Sequence, residues 1–259
     1  MVSAIEFGVI SIGLLLIYHR LGPQKFSVSF AMAKRLFSRS KYYILASLMV
    51  MAFQNTDHIM LKTMIGDVEN GFYTAAITSA GVIQFAYYAI IDSARPVILT
   101  EKRNSQERYE RNMSRLYCVI VYLALAQSLV FSILAEPIIG ILYGADYMAS
   151  VPVLRILVWY LSFSYMGSIR NIWILAEGKH SRLWVINLCG VLANVVLNAC
   201  FIPLWGACGA AGASVLTQVF TNVVVGFILK DIRPNNRLML TGLDPKFAWN
   251  TLRELLNSI

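Results

Sequence analysis

Seven apolar stretches run along the chain, at residues 2–18, 42–65, 71–97, 116–135, 150–176, 183–204 and 208–229. Each approaches the roughly 20 residues that a helix rising about 1.5 Å per residue needs to cross about 30 Å of hydrocarbon. The pattern predicts an all-α polytopic membrane protein, with a transmembrane helical domain over residues 1–229 and a cytoplasmic tail over 230–259. The polar connections are of two kinds. Those at 19–41, 98–115 and 178–182, and the tail, carry most of the 22 Lys and Arg residues, including Arg35, Arg108, Arg182 and Arg233. The three between them hold no base, only Asp67, Glu69, Glu136 and Asp146. Basic loops are retained in the cytoplasm, so the expectation is a C-terminus inside and an N-terminus outside.

Two polar segments carry an amphipathic helical pattern. From Phe26 onward, Phe30, Ala33 and Phe37 recur at helical spacing beside Lys34, Arg35 and Arg39, as in a helix lying at the headgroup layer. In the tail, Asp244 and Pro245 read as an N-cap and first helical position, followed on one face by Ala248, Leu252, Leu255, Leu256 and Ile259. Composition adds that 58% of the chain is hydrophobic and 14% charged, too little polar surface for a soluble domain of 259 residues. The net charge of +8 sits beside helix ends, where anionic lipid heads attract it, and does not call for nucleic acid. Cys118, Cys189, Cys200 and Cys208 have no paired spacing and predict neither a metal site nor a disulfide framework. Met1 opens directly on an apolar segment without the basic flank of a signal peptide. An outside N-terminus and an odd helix number suggest an upstream portion.

Polar residues fall in stripes on most of the predicted helices. Gln54, Asp57, His58 and Lys62 share one face of the second; Gln84, Tyr88, Asp92 and Arg95 share one face of the third. The fifth carries Ser164, Ser168 and Asn171 next to Arg170, the sixth Asn187, Asn194 and Asn198, and the seventh Ser214, Gln218, Thr221 and Asn222. Charge inside a bilayer is costly and faces a bundle interior or a watery cavity, so the stripes predict a shared polar interior. Asp57 reads as a coupling or gating carboxylate, or else as half of a buried pair with a base from another helix. Asp92 and Arg95 fit a site or a helix end, and Arg170 either an anionic ligand or a headgroup. Asn194 and its neighbours fit a site or hydrogen bonding between helices. The small residues from Gly206 to Ala213 read as a close-packing surface, while Pro96 and Pro203 read as closing helices. No catalytic constellation is found: Asp57 and His58 are adjacent and point about 100° apart on a helix.

The segments Asn55–Ala76, Leu142–Leu157 and Pro203–Gln218, taken together, resemble the Wzx-type O-antigen or capsule flippases, within the MATE/MOP superfamily. Asn55–Ala76 (NTDHIMLKTMIGDVENGFYTAA) is similar to their acidic-led helix-turn-helix. Leu142–Leu157 (LYGADYMASVPVLRIL) resembles their outer loop, and Pro203–Gln218 (PLWGACGAAGASVLTQ) their Pro–Gly–GAA signature. The resemblance corresponds to the later part of such a protein, with about five opening helices absent. It implies a non-enzymatic transporter of the bacterial inner membrane, moving an undecaprenyl-diphosphate-linked oligosaccharide between leaflets by alternating access. It further implies coupling to H+ or Na+ with no other cofactor, and as partners membrane lipids, an N-terminal half or polysaccharide assembly proteins. The hypothetical substrate and coupling residues are then Asp57, Gln54, Lys62, Gln84, Asp92, Arg95, Arg170, Asn194 and Gln218. Two other readings stay open: a MATE-like exporter of small molecules, and a membrane-embedded glycan enzyme such as a polymerase or O-acyltransferase.

Overall fold

The computed structural model describes residues 2–20 and 29–257, with side chains from Gly8 onward except at 39, 42, 43 and 255–257. Every regular element among them is helical, as expected for an all-α membrane protein. Contacts divide the chain into two units, residues 1–41 and 42–259.

The first unit holds α1 (Val2–Arg20) and the opening turns of α2 (Phe30–Met64). Along α1 the side chains from Val9 to Ile17 are exposed and almost wholly apolar, a surface suited to hydrocarbon. The amphipathic segment expected as a separate interfacial helix is instead the start of α2, which continues unbroken into the next apolar stretch. No Pro or Gly stands between 30 and 64 to stop it. Phe26 lies outside the described residues.

The second unit is built around α7 (Ser150–Ala176), which packs against α3 (Asp67–Gly81), α4 (Gln84–Asn104), α5 (Gln106–Ile133), α6 (Ala135–Tyr143) and α8 (Ser181–Val219). Its buried face of Leu154, Leu157, Val158, Leu161, Tyr165, Ile169 and Trp173 recurs at helical spacing. Membrane helices associate through close packing and interhelical hydrogen bonds, since lipid is as apolar as leucine. Both are present here. Ser128 of α5 and Ser162 of α7 lie 2.8 Å apart, and each also donates to a carbonyl of the facing helix.

The expected span at 71–97 is two helices, α3 and α4, bent by 47° at residues 82–83. Pro96, read as closing that span, lies inside α4, which runs on to Asn104. The spans expected at 183–204 and 208–229 are the two arms of α8, the second continued by a π-helical turn (Phe220–Val224) and α9 (Val225–Ile228). Pro203 again lies inside the helix; the arms divide at Gly206, whose φ of 54° and ψ of −130° turn the chain. Glu69 of α3 caps the second arm by accepting from the Ala207 N–H at 2.8 Å, placing a carboxylate at a helix N-terminus. Gly209 then lets the second arm pass so close to Phe201 that a Cβ would overlap its carbonyl.

Among the described residues, α5 and the stretch Ser181–Ile228 are each long and apolar enough to cross a membrane, and the bent pair α3–α4 is a third candidate. The other expected spans, at 2–18, 42–65 and 150–176, are helical too. The tail departs from expectation. It forms two helices, α10 (Arg233–Leu243) and α11 (Pro245–Asn257), and α10 is bound into the bundle against α5. The Tyr117 hydroxyl donates to Asn235 at 3.0 Å, and Asn236 donates to the Val223 carbonyl at 2.9 Å. Asp244 does cap α11, its carboxylate accepting from the Lys246 N–H at 2.9 Å.

Candidate functional site

The polar stripes converge on a track with two centres. At the first, Asp57 of α2 is buried, with 5% of its surface exposed. Its Oδ1 accepts from Asn194 Nδ2 at 3.0 Å and from Asn198 Nδ2 at 2.6 Å, both on the first arm of α8. Its Oδ2 accepts from the Tyr73 hydroxyl of α3 at 2.6 Å and from the Ser214 hydroxyl of the second arm. Four neutral donors from three segments thus hold one carboxylate. No ion pair to Asp57 is found among the described residues. A buried carboxylate held this way exists only because its lone pairs are met by hydrogen bonds. His58, its sequence neighbour, points elsewhere, with Nδ1 2.9 Å from Asn70 Oδ1.

The second centre is a polar cavity of about 180 Å³, lined by Gln54, Ser164, Arg170, Asn171, Gln218 and Asn222 among others. Arg170 is buried, 4% exposed. Its Nη1 donates to the Thr221 carbonyl at 2.6 Å, while its Nε has no partner. Thr221 belongs to the π-helical turn, where the usual helical ladder is interrupted and the backbone takes other partners. Asn222 of the same turn donates to the Phe163 carbonyl at 2.8 Å and to Gln218 at 2.5 Å. Gly167 makes the approach possible: a Cβ there would stand 2.6 Å from Asn222 Oδ1. The cavity therefore presents amides and hydroxyls around a guanidinium whose hydrogen-bonding capacity is only partly used.

The centres are joined along their helices. Gln54 lies one turn from Asp57 on α2, Asn187 and Gly190 precede Asn194 and Asn198 on α8, and Gln218 follows Ser214 one turn on. Each helix reaches the cavity on the side of its basic connection and Asp57 beyond it. The other expected site residues lie elsewhere. Lys62 pairs with Asp67 at 2.9 Å and Arg95 with Asp92 at 2.7 Å, all four well exposed. Gln84 donates to the Tyr88 hydroxyl at 3.2 Å, and only through Tyr88 does this helix reach the cavity. Tyr73 was not legible as a site residue from spacing alone, because it arrives across the turn at Gly66.

A bent and broken set of membrane helices around a buried carboxylate and a polar cavity defines the class as a polytopic membrane protein with a polar interior. Residues 2–152 match the family model of polysaccharide biosynthesis proteins, and the chain belongs to that family. Its fold is similar to that of a MOP superfamily transporter from Pyrococcus furiosus, with a TM-score of 0.60 at 14% identity over 82% of this chain. That structure is described as having a binding pocket of reverse polarity that suggests a different function. The chain spans about half of that transporter, 51% of its length. No curated protein matches the sequence.

Proposed function

We propose that the chain carries an undecaprenyl-diphosphate-linked oligosaccharide from the cytoplasmic to the outer leaflet of a bacterial inner membrane by alternating access, acting as a transporter and not as an enzyme. Its basic connections and C-terminus face the cytoplasm. The observation that carries the reading is Arg170. A buried guanidinium with one N–H group unmet, set in a cavity of amides and hydroxyls, suits a diphosphate with sugar attached. Family membership supports the polysaccharide part of the reading, and the likeness to a MOP superfamily transporter supports the fold it needs.

Asp57 supplies the coupling in this proposal. Ionised, it draws donors from α3 and both arms of α8 onto α2. Binding of H+ or Na+ satisfies the carboxylate directly, loosens that grip, and so makes helix arrangement depend on ion occupancy. Co-expression with the N-terminal half of a related flippase in a flippase-deleted strain tests the reading: surface polysaccharide returns if it is right, and stays absent despite membrane-resident protein if it is wrong.

A further inference from the structure

None of the four donors on Asp57 lines the polar cavity. Tyr160 of α7 does line it, and it also borders the carboxylate. Counted along α7, Tyr160 is the first of the lining residues, with Ser164, Ser168 and Asn171 following towards the basic turn at 178–182. It thus stands at the end of the cavity beyond which Asp57 lies. Its ring stacks on Phe53 of α2, with centroids 6.4 Å apart and planes 14° from parallel. Phe53 is itself one helical turn from Asp57. The Tyr160 hydroxyl stands beside Gln218 and Ser164 on the cavity wall, and near enough to Asp57 to feel its charge. Tyr73, which donates to Asp57, lies within the same reach.

A phenolic hydroxyl carries one hydrogen and two lone pairs, and its O–H rotates to suit the surroundings. While Asp57 is ionised, its field turns the Tyr160 hydrogen towards the carboxylate. The oxygen lone pairs are then left to the cavity, where they repel an anion. Once H+ or Na+ neutralises Asp57, the hydrogen can turn into the cavity and donate to a phosphate oxygen. In a low-dielectric interior both preferences are stronger than they would be in water.

We propose that Tyr160 couples the two centres, its hydroxyl donating into the cavity when Asp57 is neutral and turned away from it when Asp57 is charged. The inference rests on the reading of Asp57 as the coupling carboxylate and of the cavity as a diphosphate site. It gives that coupling a physical carrier: a bound ion shifts substrate affinity only through a group that meets substrate differently in the two ion states, and the effect is reciprocal.

The test measures binding of farnesyl diphosphate, a short prenyl diphosphate, to the full chain in nanodiscs, in sodium-free buffer of mildly alkaline pH where Asp57 carries its charge. Asp57→Asn stands for the neutralised carboxylate, and Tyr160→Phe keeps the ring on Phe53 while removing the hydroxyl. The two single variants, their combination and the unmodified chain make a double-mutant cycle. Asp57→Asn should bind the probe about fivefold more tightly than the unmodified chain, within the usual range of coupling between sites. Adding Tyr160→Phe should abolish that gain, whereas Tyr160→Phe alone should change affinity little. The same gain with and without the hydroxyl, no gain from Asp57→Asn, or a large loss in Tyr160→Phe alone would overturn the proposal. If transport is still lost in Asp57→Asn, any of these results removes Tyr160 and leaves the coupling reading standing. Arg170→Ala should abolish binding, which places the probe in the cavity; binding that survives it, or no binding by any form, would contradict the diphosphate site and the proposal with it.

Discussion

The Tyr73 hydroxyl ends 2.6 Å from Asp57 Oδ2, joining α3 to α2 across the turn that separates them. With Asn194, Asn198 and Ser214 it makes the carboxylate the meeting point of three segments. Asp57→Asn preserves size but removes the charge and the ion-binding capacity. It is expected to abolish transport at unchanged membrane abundance, scored as surface polysaccharide against an immunoblot. Asp57→Ala additionally strands the donors, at about 1–3 kcal/mol for each left unsatisfied, and should lower thermal stability in detergent as well. Transport retained by Asp57→Asn would remove the coupling role.

Arg170 is predicted to tolerate lysine in part and alanine not at all. Lysine keeps a positive charge in the cavity and a donor for the Thr221 carbonyl, but loses the planar fork that fits a diphosphate. Arg170→Lys should therefore transport at a reduced rate and Arg170→Ala should be inactive. Identical behaviour of the two variants would mark Arg170 as a packing residue that steadies the π-helical turn.

Gly206 is expected to be intolerant of any side chain. Its φ of 54° with ψ of −130° is disfavoured for other residues, and a Cβ there would stand 2.6 Å from Glu69 Oε2. Gly206→Ala should destabilise by about 1–3 kcal/mol. Glu69→Gln keeps an oxygen for the Ala207 N–H and loses only the charge at the helix N-terminus, about 0.3–1 kcal/mol. Thermal unfolding in detergent ranks the two, and a milder effect for Gly206→Ala would contradict this view of the break.

Lys62, Asp92 and Arg95 should prove dispensable. Both of their ion pairs are exposed, and such pairs contribute about 0–1 kcal/mol. Alanine at each position is expected to leave stability and transport nearly unchanged. Loss of transport in Arg95→Ala, with the protein still in the membrane, would show that this face of α4 works in the transport path.

Periodicity placed most helices, because an apolar run and a polar stripe leave direct marks in sequence. It also assigned Asp57, Asn194 and Gln218 to interior faces, since each recurs with polar neighbours at helical spacing. What periodicity cannot give is which interior faces meet. Asp92 and Arg95 share a stripe with Tyr88, yet they pair with each other on the surface while Tyr88 reaches the cavity. The merging of the amphipathic segment into α2 was equally hidden, because hydropathy changes at residue 42 while helix propensity does not. The docking of α10 is carried by Asn235, met by the Tyr117 hydroxyl, and Asn236, which donates to the Val223 carbonyl, contacts that no periodicity within the tail marks.

The most direct test is deletion of this coding sequence in its own host, with lipid-linked oligosaccharide measured in each leaflet of the inner membrane. Accumulation in the cytoplasmic leaflet, with loss of surface polysaccharide that is restored by the unmodified chain and not by Asp57→Asn, is the predicted result. Unchanged leaflet distribution, or lipid-linked oligosaccharide that reaches the outer leaflet and accumulates there, would contradict a transporter and favour an enzyme of glycan assembly.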